Sequence, residues 1–145
     1  MINNLKNITV LGAGKSGVGA AVLAKKKNIG VLLFNDDQIT SSTKELLSEY
    51  NVKWIEKNYN NTKALNNDLL VTSPGIDDKH PMVEYYVKNS KPVISEIEFA
   101  SYFCDAKKIC VTGTNGKTTT TLMVTYIPVS YTHLRPHETR HDLLC

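Results

Sequence analysis

The sequence predicts an α/β fold built on a parallel β-sheet, and three observations support this prediction. Short apolar runs alternate with segments of helical periodicity along most of the chain. One glycine-rich turn separates the first apolar run from the first helical segment, and a second begins at Gly113. Strands and helices in alternation are typical of a parallel sheet that helices cover on both faces.

The first hundred or so residues predict one sheet domain of Rossmann-like architecture. We expect strands at Ile8–Leu11, Val31–Phe34, Val52–Ile55, Asp68–Thr72 and Pro92–Ile94, with helices at Ser16–Lys27, Ser42–Tyr50, Pro81–Asn89 and Glu96–Phe103. Gly30 is expected to mark the end of the first helix, as glycine commonly does.

A second unit begins directly afterwards. The pattern predicts a strand at Lys108–Thr112, a phosphate-binding turn at Gly113–Thr118 and a helix at Thr119–Ile127. No later strand follows to complete a sheet. We therefore expect a P-loop ATPase domain that is truncated after its first strand, loop and helix.

Length and composition exclude several classes of protein. The 145 residues are 41% apolar and 21% charged, which suits a globular chain and excludes disordered and fibrous classes. No apolar run approaches the roughly 18 residues of a membrane span, and the amino terminus lacks a signal-peptide layout. Three cysteines without metal-ligand spacing fit a reduced cytoplasmic protein. The net charge of +3 is too small to indicate nucleic-acid binding. We also expect a monomer.

The composition changes abruptly after Ile127. Every lysine lies between Lys6 and Lys117, whereas both arginines and three of the four histidines follow Ile127. The histidines at 133, 137 and 141 have helical spacing, but Pro136 would break the helix that a metal site needs. We therefore expect three segments: a sheet domain at 1–105, the start of an ATPase domain at 106–127, and a disordered tail of foreign origin at 128–145.

The turn Gly12–Gly17 has the spacing G-x-G-x-x-G directly after a predicted strand. In this context Gly12 permits a tight turn, Gly14 lets a ligand approach the backbone, and Gly17 allows close packing of the helix. The free amides at the helix start favour a phosphate. An acidic pair beginning at Asp36 falls about twenty residues on, where dinucleotide enzymes hold a ribose, so an NAD-type dehydrogenase is one interpretation.

The turn Gly113–Thr118 predicts a second phosphate site. Its backbone amides can surround phosphate oxygens, Lys117 can reach the terminal phosphates, and the Thr118 hydroxyl can bind magnesium. The strict Walker spacing needs glycine at position 111, where this chain has Val111. The sequence thus indicates a nucleoside triphosphate site in a variant loop.

Taken together, these motifs resemble the Mur ligases over residues 1–127. The resemblance rests on Gly12–Gly17, on Thr72–Ile76 followed by His80-Pro81, on Ile94–Phe99 and on Val111–Thr119. The last motif is the most specific, because the family's ATP loop has the same G-T-N-G-K-[ST] form without the first Walker glycine. The D-glutamate-adding branch matches best.

The resemblance implies a three-domain ligase with ATP and magnesium as cofactors. It implies that the alanyl carboxylate of UDP-N-acetylmuramoyl-L-alanine is phosphorylated and that the amine of D-glutamate attacks the acyl phosphate. Because the later domains would lie beyond residue 127, we expect this chain alone to be inactive.

The resemblance also implies two sets of site residues. The UDP-substrate site would comprise Gly14, Lys15, Ser16, Asn35, Asp36, Ser73 and Gly75. The ATP site would comprise Gly113, Thr114, Asn115, Gly116, Lys117, Thr118 and Thr119, with Lys117 and Thr118 catalytic and Thr118 binding magnesium. Glu96 and Glu98 match the family motif and are expected to be structural.

Three alternatives stay open at this point. A dehydrogenase domain explains the first turn but not the second. Another amide ligase of the same superfamily, such as a folylpolyglutamate ligase, would share the ATP loop. A non-catalytic nucleotide-binding module would act by occupying a ligand or a partner.

Overall fold

The computed structural model describes residues 5–57, 66–73, 75–106 and 109–132, with side chains as far as residue 126. The chain divides into two compact units, Met1–Cys104 and Asp105–Cys145. The first contains a five-stranded sheet, and the second contains a glycine-rich turn and one long helix. None of the helices in the described part of the chain is long and apolar enough to cross a bilayer.

Strands and helices alternate as the sequence predicts. The strands are β1 (Asn7–Leu11), β2 (Gly30–Asn35), β3 (Lys53–Glu56), β4 (Leu69–Thr72) and β5 (Val93–Ser95). The helices are α1 (Lys15–Lys26), α2 (Ser41–Glu49), α3 (Pro81–Lys88), α4 (Glu96–Ser101) and, in the second unit, α5 (Lys117–Thr132).

All strands of the sheet are parallel and their order is β3-β2-β1-β4-β5. The chain moves from β1 outward to β2 and β3, then returns to place β4 on the other side of β1. The order therefore reverses between β1 and β4. In open parallel sheets, ligands bind outside the carboxyl ends of the strands at such a switch point.

Helices cover both faces of the sheet. Side chains along each strand alternate between the two faces, so both faces have apolar residues that need cover. Ile8 and Val10 of β1 pack in one apolar cluster together with residues of α1, α2 and α4. Leu11 packs in a second cluster with Tyr86 of α3. The Tyr86 hydroxyl lies 3.0 Å from the Thr9 hydroxyl, so the second face also contains a buried polar pair.

Helices α1, α2 and α3 all end with a residue in the left-handed conformation, and none of these residues is glycine. The residues are Asn28, Asn51 and Ser90, with φ of 60°, 53° and 54°. In α1 the Asn28 amide donates to the Lys25 carbonyl and the Ile29 amide to the Ala24 carbonyl, which is the Schellman arrangement.

Gly30 therefore does not end α1, contrary to the expectation from the sequence, but begins β2. A Cβ at this position would lie 2.0 Å from Oδ1 of Asn7 and 3.1 Å from the Lys6 carbonyl oxygen, so a larger residue would require the Asn7 side chain to move.

The second unit departs from the predicted strand–loop–helix pattern. Residues 109–112 do not form the predicted strand, and residues 107 and 108 lie outside the described part. An isolated strand leaves its backbone groups without partners, and no other strand is present among the described residues of this unit. Helix α5 continues to Thr132, past the predicted start of the tail at 128, and residues 133–145 lie outside the described residues.

Candidate nucleotide-binding site

The predicted UDP-site residues of the first unit lie at the carboxyl ends of three neighbouring strands. Leu11 at the end of β1 pairs with Phe34 of β2 and with Thr72 of β4. The segments at or just after the ends of these strands contain Gly14–Ser16, Asn35 and Asp36, and Ser73 and Gly75, respectively. The fold thus brings all of these segments to one edge of the sheet, at the β1–β4 switch point.

Each glycine of the turn Gly12–Gly17 has the geometry that its spacing predicts. Gly12 has φ of +107°, which side chains rarely adopt. A Cβ on Gly17 would lie 2.1 Å from the Gly12 carbonyl oxygen, so α1 starts directly against the turn. A Cβ on Gly14 would meet nothing within 4 Å, so the space beside this residue is open.

Helix α1 begins at this open space without a side-chain cap. Gly14 is the N-cap residue, and no side chain of the described residues accepts a hydrogen bond from the first-turn amides. The first amides of any α-helix lack intrahelical acceptors, and the helix dipole adds positive potential there. The turn of α1 that contains Lys15 and Ser16 can therefore bind a phosphate through its backbone.

Asn35 holds the glycine-rich turn in place from the neighbouring strand. Its Oδ1 accepts a 2.8 Å hydrogen bond from the Ala13 amide, and its Nδ2 donates to the Asp37 carbonyl at 2.9 Å. The side chain thus joins the loop after β1 to the loop after β2. One N–H and one lone pair remain for a ligand, so the predicted contact of Asn35 with the substrate stays a prediction.

Ser73 supports the same turn from β4. Its amide donates to the Leu11 carbonyl at 3.2 Å, and its hydroxyl would lie 2.8 Å from a Cβ on Gly12. The hydroxyl is buried and has no partner in the described part of the structure. A direct ligand contact through this hydroxyl stays a prediction, whereas Gly75 has open space beside it.

The side chain of His80 contacts that of Asp36 at the carboxyl edge of the sheet. The His80 Nδ1 accepts from the Met82 amide at 3.1 Å, so in the neutral ring Nε2 carries the proton. Nε2 lies 3.2 Å from Oδ1 of Asp36. The Asp36 carboxylate is therefore oriented by a side chain from α3's N-cap, a role that the His80-Pro81 motif alone does not reveal.

Glu96, at the start of α4, is joined to the phosphate turn. The Ser16 hydroxyl donates a 2.9 Å hydrogen bond to Oε1 of Glu96, which is 4% exposed. The expectation that Glu96 is structural stays a prediction, but the sequence did not indicate this contact. Sequence reasoning had no signal for it, because 80 residues separate the two side chains.

The second glycine-rich turn contains two glycines in backbone conformations that other residues rarely adopt. Gly113 and Gly116 have φ of 149° and 79°. The Lys117 ammonium group donates to the carbonyl oxygens of Gly113 and, at 3.3 Å, of Thr114. The ammonium group therefore lies against the loop that precedes Lys117 and places a positive charge beside its exposed residues.

This turn fits ATP and magnesium in residue types and in backbone. Left-handed glycines allow successive amides to point into one concavity, and Lys117 and Thr118 follow at the start of α5. The assignment of Gly113–Thr119 to ATP and of Thr118 to magnesium stays a prediction. The histidines at 133, 137 and 141 lie outside the described residues.

Comparison with known proteins identifies the family. The sequence model of the Mur ligase MurD-like N-terminal domain matches residues 6–95. This chain belongs to that family. The matched range contains the switch-point turn at Gly12–Gly17 and the predicted UDP-site residues on β1, β2 and β4.

Two relatives of this chain share one name. UDP-N-acetylmuramoylalanine–D-glutamate ligase of Bacteroides thetaiotaomicron is 44% identical over 123 residues, which cover 85% of this chain and 28% of that protein. The ligase of the same name from Christiangramia forsetii is 40% identical over 122 residues, covering 84% of this chain and 27% of that protein. The chain therefore spans little more than a quarter of the length of these relatives.

Solved structures agree with the assignment to the Mur ligases. A murein peptide ligase from Psychrobacter arcticus superimposes with a TM-score of 0.62 at 27% sequence identity, covering 87% of this chain and 26% of that chain.

Proposed function

We propose that this chain is the UDP-substrate-binding part of a ligase that adds D-glutamate to UDP-N-acetylmuramoyl-L-alanine in peptidoglycan precursor synthesis. The identity to relatives of that name over 85% of the chain supports the substrate. The uncapped start of α1 beside the open space at Gly14 supports binding of the diphosphate. The protein is proposed to act in the cytoplasm as a monomer.

The single observation that carries this proposal is the position of the uncapped turn. It lies at the β1–β4 switch point, where the loops after β2 and β4 also begin. The diphosphate would bind to the amides of Lys15 and Ser16, and the nucleoside would extend toward Asn35 and Asp36. Ser73 and Gly75 would close the other side of the crevice.

The ATP-dependent step would belong to the second unit and to the rest of the enzyme. Gly113–Thr119 would hold the triphosphate, with Lys117 stabilising the transferred phosphoryl group and Thr118 binding magnesium. Bound magnesium would supply charge neutralisation for phosphoryl transfer. The substrate carboxylate oxygen would take the γ-phosphoryl group and release ADP. The amine of D-glutamate would then displace phosphate to form the amide.

A carboxylate oxygen is a poor leaving group, and its phosphorylation makes displacement by an amine feasible. The chain contributes positioning and charge complementarity to this sequence of steps. Because it spans 28% of the length of the Bacteroides relative, we expect these 145 residues alone to release no ADP above background. Turnover in the presence of ATP, magnesium and both substrates would contradict this.

A titration that compares two ligands tests the proposal. The purified chain is titrated with UDP-N-acetylmuramoyl-L-alanine and, separately, with NADH by isothermal calorimetry. We expect saturable binding of the UDP substrate and at least tenfold weaker binding of NADH. Preference for NADH would favour the dehydrogenase interpretation, and failure to bind either ligand would contradict a nucleotide site in the first unit.

A further inference from the structure

The carboxylate of Glu96 is buried beside the proposed diphosphate site without a compensating charge. Its Oε1 accepts the Ser16 hydroxyl at 2.9 Å, and its Oε2 is buried with no hydrogen-bond partner among the described residues. None of the ion pairs in the described part of the chain includes Glu96. Burial of an unpaired carboxylate lowers the stability of the fold. A function in ligand binding would explain why Glu96 is at the start of α4.

The hydrogen bond determines what the Ser16 side chain can offer to a ligand. A hydroxyl has one proton, and Ser16 donates it to Glu96. The Ser16 oxygen is then left as an acceptor, and phosphate oxygens are acceptors too. In this arrangement the backbone amides of α1 bind the diphosphate, and the Ser16 hydroxyl donates to Glu96 and not to phosphate.

The negative charge of Glu96 also acts on the bound anion. The Ser16 side chain links the carboxylate to the first turn of α1, whose N-cap residue makes no side-chain hydrogen bond. Charges that are withdrawn from solvent interact through a lower effective dielectric and are little screened by salt. Each additional negative charge on the diphosphate itself therefore increases the repulsion.

We propose that Glu96 is a specificity-determining residue that favours diphosphate diesters over nucleotides with a terminal phosphate. This inference rests on the proposed function of the site. A UDP-sugar carries one charge on each phosphorus, whereas the terminal monoester of UDP adds most of a further charge near neutral pH. The substrate would thereby be selected over free UDP, which is chemically identical in its base and ribose.

The test compares two ligands in a Glu96→Gln variant of the full chain. Glutamine keeps an oxygen that can accept the Ser16 proton but removes the charge. We expect the affinity for UDP to rise about tenfold more than the affinity for UDP-N-acetylmuramoyl-L-alanine, as measured by calorimetry. An unchanged ratio of the two dissociation constants would overturn the proposal.

Glu98 provides the matched control, because it lies in the same first turn of α4 but is exposed. A Glu98→Gln variant should leave the ratio unchanged, since solvent screens this carboxylate. If Glu98→Gln shifts the ratio as much as Glu96→Gln does, the effect reflects overall charge and the proposal fails.

If Glu96→Gln does not fold, which circular dichroism would show, the unmodified chain keeps the proposal testable. It should bind the methyl ester of UDP, a diphosphate diester without the sugar, about tenfold more tightly than it binds UDP. Equal or tighter binding of UDP would contradict the inference. If the unmodified chain binds neither ligand, the proposed function itself fails, and this inference fails with it.

Discussion

Replacement of Gly14 by alanine separates ligand binding from folding at the proposed site. Gly14 has φ of −69° and ψ of 174°, which alanine adopts without strain, and a methyl group there would meet nothing within 4 Å. Alanine is a worse N-cap than glycine by about 0.5–1 kcal/mol. Alanine also reduces the conformational entropy of the unfolded chain, which stabilises the folded state by about 0.4–1 kcal/mol. The two effects nearly cancel, so stability should change by less than about 1 kcal/mol.

Binding should change far more, because the methyl group occupies the space through which the diphosphate reaches the amides of α1. Steric insertion of a methyl into a filled site costs about 1–3 kcal/mol, which weakens binding by about 5- to 150-fold. The free energy of unfolding is measured with urea, and the dissociation constant for UDP-N-acetylmuramoyl-L-alanine by calorimetry.

Gly19 supplies the control for this experiment. It lies inside α1, it is exposed, and a Cβ there also meets nothing within 4 Å. Gly19→Ala should stabilise the helix by about 1 kcal/mol and leave affinity unchanged. If Gly14→Ala binds the substrate as tightly as the unmodified chain, the diphosphate does not approach this turn and the reasoning is refuted.

Three further predictions concern stability. Gly17→Ala should lower the free energy of unfolding by about 3 kcal/mol, because its Cβ would lie 2.1 Å from a backbone oxygen; a normal urea midpoint would contradict this. Ser90→Gly should raise the melting temperature through a gain of about 1 kcal/mol, since Ser90 has φ of 54°, whereas Ser90→Ala should give no gain. The hydrogen bond from Lys44, followed by that from the Ile39 amide, holds the pKa of Glu56 below its ordinary 4.5. The stabilisation by this pair should therefore be present above pH 4.5 and be lost as the pH falls through the lowered pKa. In urea titrations, Lys44→Met should show a smaller drop in the free energy of unfolding over that pH range.

The periodicity of apolar residues predicts the sheet domain because its signals are local. All five strands and the four helices of the first unit form close to their predicted positions. The end of α1 is different, since Asn28 adopts the left-handed conformation two residues before Gly30. Asparagine is one of the few residues other than glycine that adopt that conformation, so the pattern alone could not choose between them.

The candidate site was predictable in its backbone and not in its side-chain contacts. The spacing of Gly12, Gly14 and Gly17 predicts the tight turn, the open space and the close helix packing that the structure has. The contact of Ser16 with Glu96 and that of Asp36 with His80 join residues 80 and 44 positions apart. Such contacts depend on sheet order, which periodicity does not determine. Residues 109–112 of the predicted strand Lys108–Thr112 do not form a strand, since a strand needs a neighbour and the described residues of the second unit contain none.

The measurement that tests the central claim most directly is a map of amide chemical shifts on addition of UDP-N-acetylmuramoyl-L-alanine to the ¹⁵N-labelled chain. If the carboxyl edge at the β1–β4 switch point binds the diphosphate, the largest changes should fall on the amides of Lys15, Ser16 and Gly17, with smaller changes at Asp36 and Gly75. Changes that are absent from the turn Gly12–Gly17, or that are largest at the opposite edge of the sheet near Asn7 and Asp68, would contradict it.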